Sequence, residues 1–361
     1  MVDRMNIPEK HRAAFLTKFK APLEMGMAET QLPSGDQVLV KVSGAGICHS
    51  DVHVWEGIWY RGGAPGKLPH IPSHEISGIV VAKGETVPDS IRIGDAVLVY
   101  PWQWLEDDRY TIRGLTNIPN KPVVPGINID GGFQEYFLAS HYRYLVNANG
   151  ITDLPALAPM SCGGLTTYRA VKKLSSTLEP DDYVAVVGLG GLGSYALQYI
   201  KVLFPQVNII GVDIRDDSIE FAEKVVKMDA TVNSRTEDAY RKINEITGGA
   251  GLGGVIDLVG KGTLSTYSRL LAKEGIYVMV GLMGTNEQES LSPFYTVLME
   301  KTVTGSYVGT LAEQQEVVAL SKKGLIDYRK PVSARLTLDK ASQGIQDLED
   351  GKALGRQIIV F

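Results

Sequence analysis

The chain has 361 residues, 44% hydrophobic and 21% charged, with 36 basic against 41 acidic side chains and a formal charge of −5. Such a balance suits one large or two ordinary globular domains and excludes wholesale disorder. The acidic excess argues against a nucleic-acid binder, no block of like charge suggests a membrane-surface patch, and two cysteines make no disulfide framework.

The N-terminal stretch MVDRMNIPEKHRAAFL has scattered charges and no apolar centre, so no secretory signal is expected there. No apolar run reaches the roughly 18–20 residues that span a bilayer. A cytoplasmic protein with reduced thiols and no membrane partner is therefore expected. Up to about residue 165, short β-rich runs such as QVLVKVSGAGI and ISGIVVAKG are broken by glycine and proline. They predict a compact, mostly antiparallel β domain with long loops. Within it, GICHSDVH (46–53) sets Cys48, His49, Ser50, Asp51 and His53 at a strand end. PSHEISG adds His74 and Glu75, and MSCGGLTTYRA adds Cys162. Catalytic zinc takes three protein ligands from these residue types. Taken singly, each residue also has an ordinary reading, the cysteine as a small buried apolar group and the histidine as a satisfied polar one. A bond between the two cysteines is another option that nothing local requires.

Beyond residue 165 the pattern becomes a regular alternation. DYVAVVGLG (182–190), NIIGVD (208–213), GGVIDLVG (253–260) and GIYVMVGL (275–282) read as strands buried on both faces, separated by helical patterns. One such pattern puts Leu192, Ala196, Leu197, Ile200 and Leu203 on a single stripe. The expected fold class is α/β, with a doubly wound parallel sheet of βαβ units. Gly188, Gly190, Gly191, Leu192 and Gly193 lie between the strand VAVV and the helix, the context a dinucleotide fingerprint needs. Gly188 allows the turn, Gly190 lets backbone approach a pyrophosphate, and Gly193 lets helix and strand close up. Asp213 falls at the end of the next strand, placed to accept a ribose hydroxyl and repel a 2′-phosphate, which favours NAD over NADP; Arg215 beside it partly offsets that repulsion. GAGLGG at 249–254 matches the same letters but leads into a strand, and is expected to be a flexible loop. After about residue 306 the alternation loosens, and the closing run RQIIVF is expected to return to the first domain. Two domains follow: 1–163 with 306–361, and 164–305.

Taken together, GICHSDVH, HEISGIVVAKGETV, GINIDGGFQEY, CGGLTTYRA, VGLGGLG with Asp213, and GRQIIVF resemble the zinc-dependent alcohol dehydrogenases of the medium-chain dehydrogenase/reductase superfamily, in their archaeal type. The resemblance runs over nearly the whole chain. It implies a GroES-like β-rich catalytic domain plus a Rossmann domain, with active site and cofactor in the cleft between them. It implies Cys48, His74 and Cys162 as zinc ligands, Glu75 as an alternative ligand, and Asp51 as the partner that holds the His74 imidazole. Ser50 would take the substrate proton and His53 would pass it to solvent. His49 and Arg356 match positions on the pyrophosphate, and Thr166 and Val280-Gly281-Leu282 match the nicotinamide lining. The implied activity is NAD-dependent interconversion of an alcohol with its aldehyde or ketone, in a homodimer or homotetramer. Weaker readings are a polyol or amino-alcohol dehydrogenase, a zinc-free quinone or enoyl reductase, and a non-catalytic NAD-binding protein. Retention of every ligand and of the proton relay argues against the last two.

The chain departs from the family in two places. Many relatives hold a structural zinc with four cysteines, and the matching positions here are Leu105, Asp108, Thr111 and Pro119. One catalytic zinc per subunit and no structural zinc are therefore expected. Proline stiffening and the packing of Trp102 and Trp104 are expected to hold this lobe, with Glu106-Asp107-Asp108 as an exposed acidic turn. The second departure is Ser73, where glycine is usual. All four tryptophans (55, 59, 102 and 104) lie in two segments that the resemblance sets beside the substrate. Trp102 and Trp55 are the candidates for an aromatic pocket wall, which would favour apolar or aromatic alcohols.

Overall fold

The computed structural model describes residues 7–60, 63–282 and 289–361. It comprises two compact units, residues 1–162 with 309–361, and residues 163–308.

The first unit is built on the strand Val38–Ile47, whose apolar positions Val38, Val40, Val42, Ala45 and Ile47 enter the core. It pairs antiparallel with Ile76–Lys83 along one edge. Along the other edge lie Tyr136–Ala139 at its start and Arg356–Val360 at its end, both antiparallel. Val332–Leu336, Ala96–Val99 and Leu145–Asn147 complete a seven-stranded sheet. Pairing of Val38–Ile47 with both Ile76–Lys83 and Arg356–Val360 brings residues 48, 74 and 356, far apart in sequence, to one end of the sheet.

GICHSDVH does not stop at a strand end as expected. The strand ends at Ile47, and His49–Glu56 forms a helix with Cys48 as its N-cap. A capping box explains the change, because Asp51 reaches back to the Cys48 backbone while the Cys48 side chain accepts from the first turn.

The second unit holds a six-stranded parallel sheet in the order Ala230–Asn233, Asn208–Asp213, Tyr183–Val187, Leu252–Asp257, Leu271–Met279, Thr302–Gly305. The order reverses between Tyr183–Val187 and Leu252–Asp257, the switch point at which open α/β sheets bind ligands. Two expectations need correction. The helix Gly191–Leu203 is buried all round from Gly193 to Ile200 rather than on one stripe. The helix Gly163–Lys172 packs on it, with the rings of Tyr168 and Tyr199 5.0 Å apart. GAGLGG is only half loop, since Leu252, Gly253 and Gly254 already belong to a strand. Both of these glycines sit where a Cβ would crowd a neighbour, 2.7 Å from Asp182 Oδ2 and 3.0 Å from Leu174 Cδ2 respectively.

Candidate active site

Four side chains from three separate segments converge in the first unit. Ligand atoms of Cys48, His74, Glu75 and Cys162 all lie within 4.8 Å of one another, and all four residues are buried. Among the described residues this is the one such cluster of potential metal ligands. Close approach of backbone makes room for it: a Cβ on Gly46 would fall 1.8 Å from Glu75 Oε2. Neither ring nitrogen of His74 has a hydrogen-bond partner, nor does Glu75 Oε2. Orphaned buried polar atoms are rare and costly. Two sulfurs, an imidazole and a carboxylate around one point are the donor set zinc prefers, so the residues fit that ion.

The electrostatics agree. Burial pulls the His74 imidazole down, but the sulfur of Cys48 and the carboxylates of Asp51 and Glu75 outweigh it and lift the group to about 9. The contact between Cys48 and Cys162 holds the Cys48 thiol well below its usual range and, with burial, pushes Cys162 well above. Burial raises Glu75 to about 7 against the opposing pull of Arg356. Such crowding of negative groups is what a divalent cation relieves.

Several expected roles have different partners here. Asp51 does not hydrogen-bond the His74 ring. Its Oδ2 accepts the Cys48 N–H and its Oδ1 accepts the Ser73 N–H, both at 2.8 Å. The carboxylate thus fixes two ligand-bearing backbones and acts on the imidazole through charge alone. Burial lifts Asp51 to about 6 despite those two donors. Arg356, expected on a pyrophosphate, is 4% exposed and donates from Nη2 to Glu75 Oε1. Trp55, expected at the substrate, packs on the core and donates from its indole to Ala21 O at 2.7 Å. Trp102 does stand at the cluster, edge-on to the His74 ring with centroids 5.7 Å apart.

Ser50 and His53 are three residues apart on the helix His49–Glu56 and so share a face. Ser50 Oγ lies 3.8 Å from Cys48 Sγ. His53 Nδ1 is buried without a partner, and its ring lies 5.1 Å from that of Trp59. His49 is exposed at the helix start. Ser73 occupies the left-handed region (φ 77°) that favours glycine, and its Oγ donates to Gly46 O at 2.9 Å.

In the lobe, Asp108 is an organising residue rather than part of a bare acidic turn. Its Oδ1 accepts the N–H groups of Tyr110 (2.7 Å) and Thr111 (3.0 Å), and its Oδ2 that of Asn120 (2.5 Å). Asp107 accepts the Trp104 indole N–H at 2.8 Å, and Trp104 is stacked edge-on against Tyr144. Aromatic packing is present as expected, but a carboxylate supplies the crosslink.

The second unit carries a cavity of about 530 Å³ lined by Gly188, Asp213, Ser234, Asp238, Thr263 and Tyr267 among others. Gly188 turns with φ 94°, and a Cβ on Gly193 would lie 2.3 Å from Gly188 O. Gly190 caps the helix whose first residues are Gly191 and Leu192, so its free N–H groups face this loop. Asp213 Oδ2 accepts the Leu189 N–H at 2.8 Å, joining the acid to the fingerprint. Thr166 is almost fully buried on the helix Gly163–Lys172, while Leu282 is exposed. Val280 and Gly281 donate to the Asp257 carbonyl at 2.9 and 3.1 Å. Asp257 is absent from the sequence expectations. Its side chain accepts from Val259 N, Gly260 N, Thr263 Oγ1 and Tyr277 OH, each within 3.0 Å. A lone carboxylate inside the apolar run VIDLV is the signal that points to such a buried acceptor.

Residues 34–150 match the family model described as the alcohol dehydrogenase GroES-like domain, and residues 191–323 that of the zinc-binding dehydrogenases. The chain is 37% identical over 356 residues to an NAD-dependent alcohol dehydrogenase of Sulfurisphaera tokodaii, covering 97% of this chain and 99% of that protein. It is 35% identical to a D-arabinose 1-dehydrogenase (NADP(+)) of Saccharolobus solfataricus, with 97% of each covered. Among solved structures, the alcohol dehydrogenase of Aeropyrum pernix superposes with a TM-score of 0.86 at 30% identity, covering 97% of this chain and 100% of that one.

Proposed function

The chain belongs to the zinc-type alcohol dehydrogenases of the medium-chain dehydrogenase/reductase superfamily, and from that premise we propose a specific reaction and ligand set. The chain is an NAD-dependent alcohol dehydrogenase acting on small alcohols. In our reading Cys48, His74 and Cys162 hold one zinc ion, with Glu75 as the alternative ligand, and the protein oxidises apolar or aromatic alcohols. The observation that carries this is the buried four-residue cluster with both His74 nitrogens unpartnered. When bound, zinc supplies Lewis acidity that eases loss of the hydroxyl proton, and NAD supplies the hydride acceptor. Ser50 accepts that proton, and His53 on the same helix face passes it outward. The Trp102 edge beside His74 gives the substrate an apolar wall. Gly188–Gly193 and Asp213 hold the cofactor, with Val280 and Gly281 beside its nicotinamide. Similarity to a D-arabinose dehydrogenase favours a sugar or polyol as the second reading.

With no metal ligand but Asp108 at the four lobe positions, we assign one zinc per subunit. Among the described residues no helix is long and apolar enough to cross a membrane, and with both cysteines free we place the protein in the cytoplasm. A homodimer or homotetramer is supported by the exposed side chains of Phe294, Tyr295, Val297 and Leu298, on the helix that precedes the outermost strand Thr302–Gly305 in the chain.

The decisive experiment is a panel of primary, secondary, aromatic and polyol substrates with NAD and NADP, with metal content measured on the same sample. We expect turnover of apolar alcohols with NAD and one zinc per chain. Chelation abolishes turnover while NADH binding, followed by its fluorescence, persists. Full activity in a metal-free sample ends the reading.

A further inference from the structure

We propose that Asp217 is a cofactor-specificity residue: by holding the guanidinium of Arg215, it withholds that cation from a 2′-phosphate. The inference rests on the second unit's cavity being the NAD site. Arg215 stands two residues after Asp213, and an arginine near that acid is the residue type that accommodates the 2′-phosphate of NADP. Its backbone is fixed beside the site, because Asp213 Oδ1 accepts the N–H groups of Ile214 (2.7 Å) and Arg215 (3.0 Å). Its side chain is aimed elsewhere. Nε donates to Asp217 Oδ1 at 2.8 Å and Nη2 to Oδ2 at 2.6 Å. This is the two-pronged geometry with which the planar fork would grip a phosphate, so a single guanidinium edge cannot serve both. Asp213 and Ile214 line the cavity, and Arg215 is not among the lining residues. Asp216 is engaged differently, its Oδ1 accepting from Asn233 Nδ2 at 2.6 Å.

Two effects therefore disfavour NADP. Asp213 repels the extra phosphate, and Asp217 neutralises the cation that would offset the repulsion. The pair is largely exposed, with side-chain accessibilities of 30% and 54%, so its hold on Arg215 is modest and a single substitution at Asp217 removes it.

The test compares Asp217→Asn, Asp216→Asn, Arg215→Ala and the Arg215→Ala/Asp217→Asn double variant, by kcat/KM with NAD and NADP and by NADH and NADPH fluorescence titration. In Asp217→Asn we expect kcat/KM for NADP to rise about two- to fivefold with the NAD value unchanged, as release from a surface ion pair implies. Asp216→Asn, which removes a like charge without freeing Arg215, gains less. The double variant loses the gain. An unchanged cofactor ratio in Asp217→Asn, an equal gain in Asp216→Asn, or a gain that survives in the double variant each overturns the proposal. Failure of the wild type to bind NADH at all would instead overturn the underlying reading of the cavity.

Discussion

The Asp51 carboxylate accepts the backbone N–H of Ser73 at 2.8 Å while its other oxygen accepts that of Cys48. One side chain thus sets the spacing of two segments that carry cluster residues. Asparagine has a single acceptor oxygen and must give up one of these bonds. Asp51→Asn is expected to weaken zinc retention by roughly 10–100-fold, as loss of partners behind a metal site generally does. Competition with a chromogenic chelator measures it, and unchanged affinity would refute the role.

Ser73 combines a left-handed backbone with a hydroxyl bonded to Gly46 O. Ser73→Ala keeps the strained backbone and loses the bond, so it should destabilise by about 1 kcal/mol. Ser73→Gly loses the bond but relieves the strain, and should lie closer to wild type. Urea unfolding ranks the three; an alanine variant as stable as the glycine one would contradict this account.

Glu75 and Arg356 form an ion pair with side-chain exposures of 0% and 4%. Removing one partner of a buried pair typically costs about 3–5 kcal/mol, because the survivor remains charged or must change protonation. Arg356→Gln is expected to lie in that range, with part recovered in the Glu75→Gln/Arg356→Gln double variant. Denaturant unfolding of zinc-loaded samples decides it, and purely additive losses would show that the two are not coupled.

Asp108 accepts three backbone N–H groups, and these, the Asn120 bond foremost and burial opposing, hold its carboxyl below the usual range. A folded-state value lower than the unfolded one means the stabilisation is present above the ordinary carboxylate range, about pH 4, and is lost as pH falls through the depressed value. Asp108→Asn should lower the Tm at pH 7 and narrow its gap to wild type in strong acid. Thermal melts across pH, with amide exchange of residues 105–124, test this; a gap constant with pH would count against it.

Much of this was legible in the sequence for stated reasons. The four parallel strands were readable because strands buried on both faces are continuously apolar, and the fingerprint because strand, glycines, helix and Asp213 stand in order. The cluster residues were readable as types, but their convergence depends on pairing of Val38–Ile47 with two distant strands, which no local pattern encodes. The partners that Asp51 and Arg356 meet were illegible for the same reason: Asp51 reaches Ser73 and Arg356 reaches Glu75, each in another segment. Helix Gly191–Leu203 showed a stripe in sequence, yet a second helix covers its other face with Tyr168. Hydroxyl and aromatic residues can be buried when a neighbour arrives, and periodicity does not register the neighbour.

The Asp108 crosslink also changes what the molecule is vulnerable to. A lobe closed by four thiolates unravels when metal is scarce or when an oxidant reaches its sulfurs. A lobe closed by a carboxylate and three amides answers to neither; it answers to acid. The chain's two cysteines both sit in the buried cluster with His74 and Glu75, the proposed zinc site. Metal starvation or thiol oxidation would then silence the chemistry while leaving the lobe folded, so that resupply of zinc or reductant restores function without refolding.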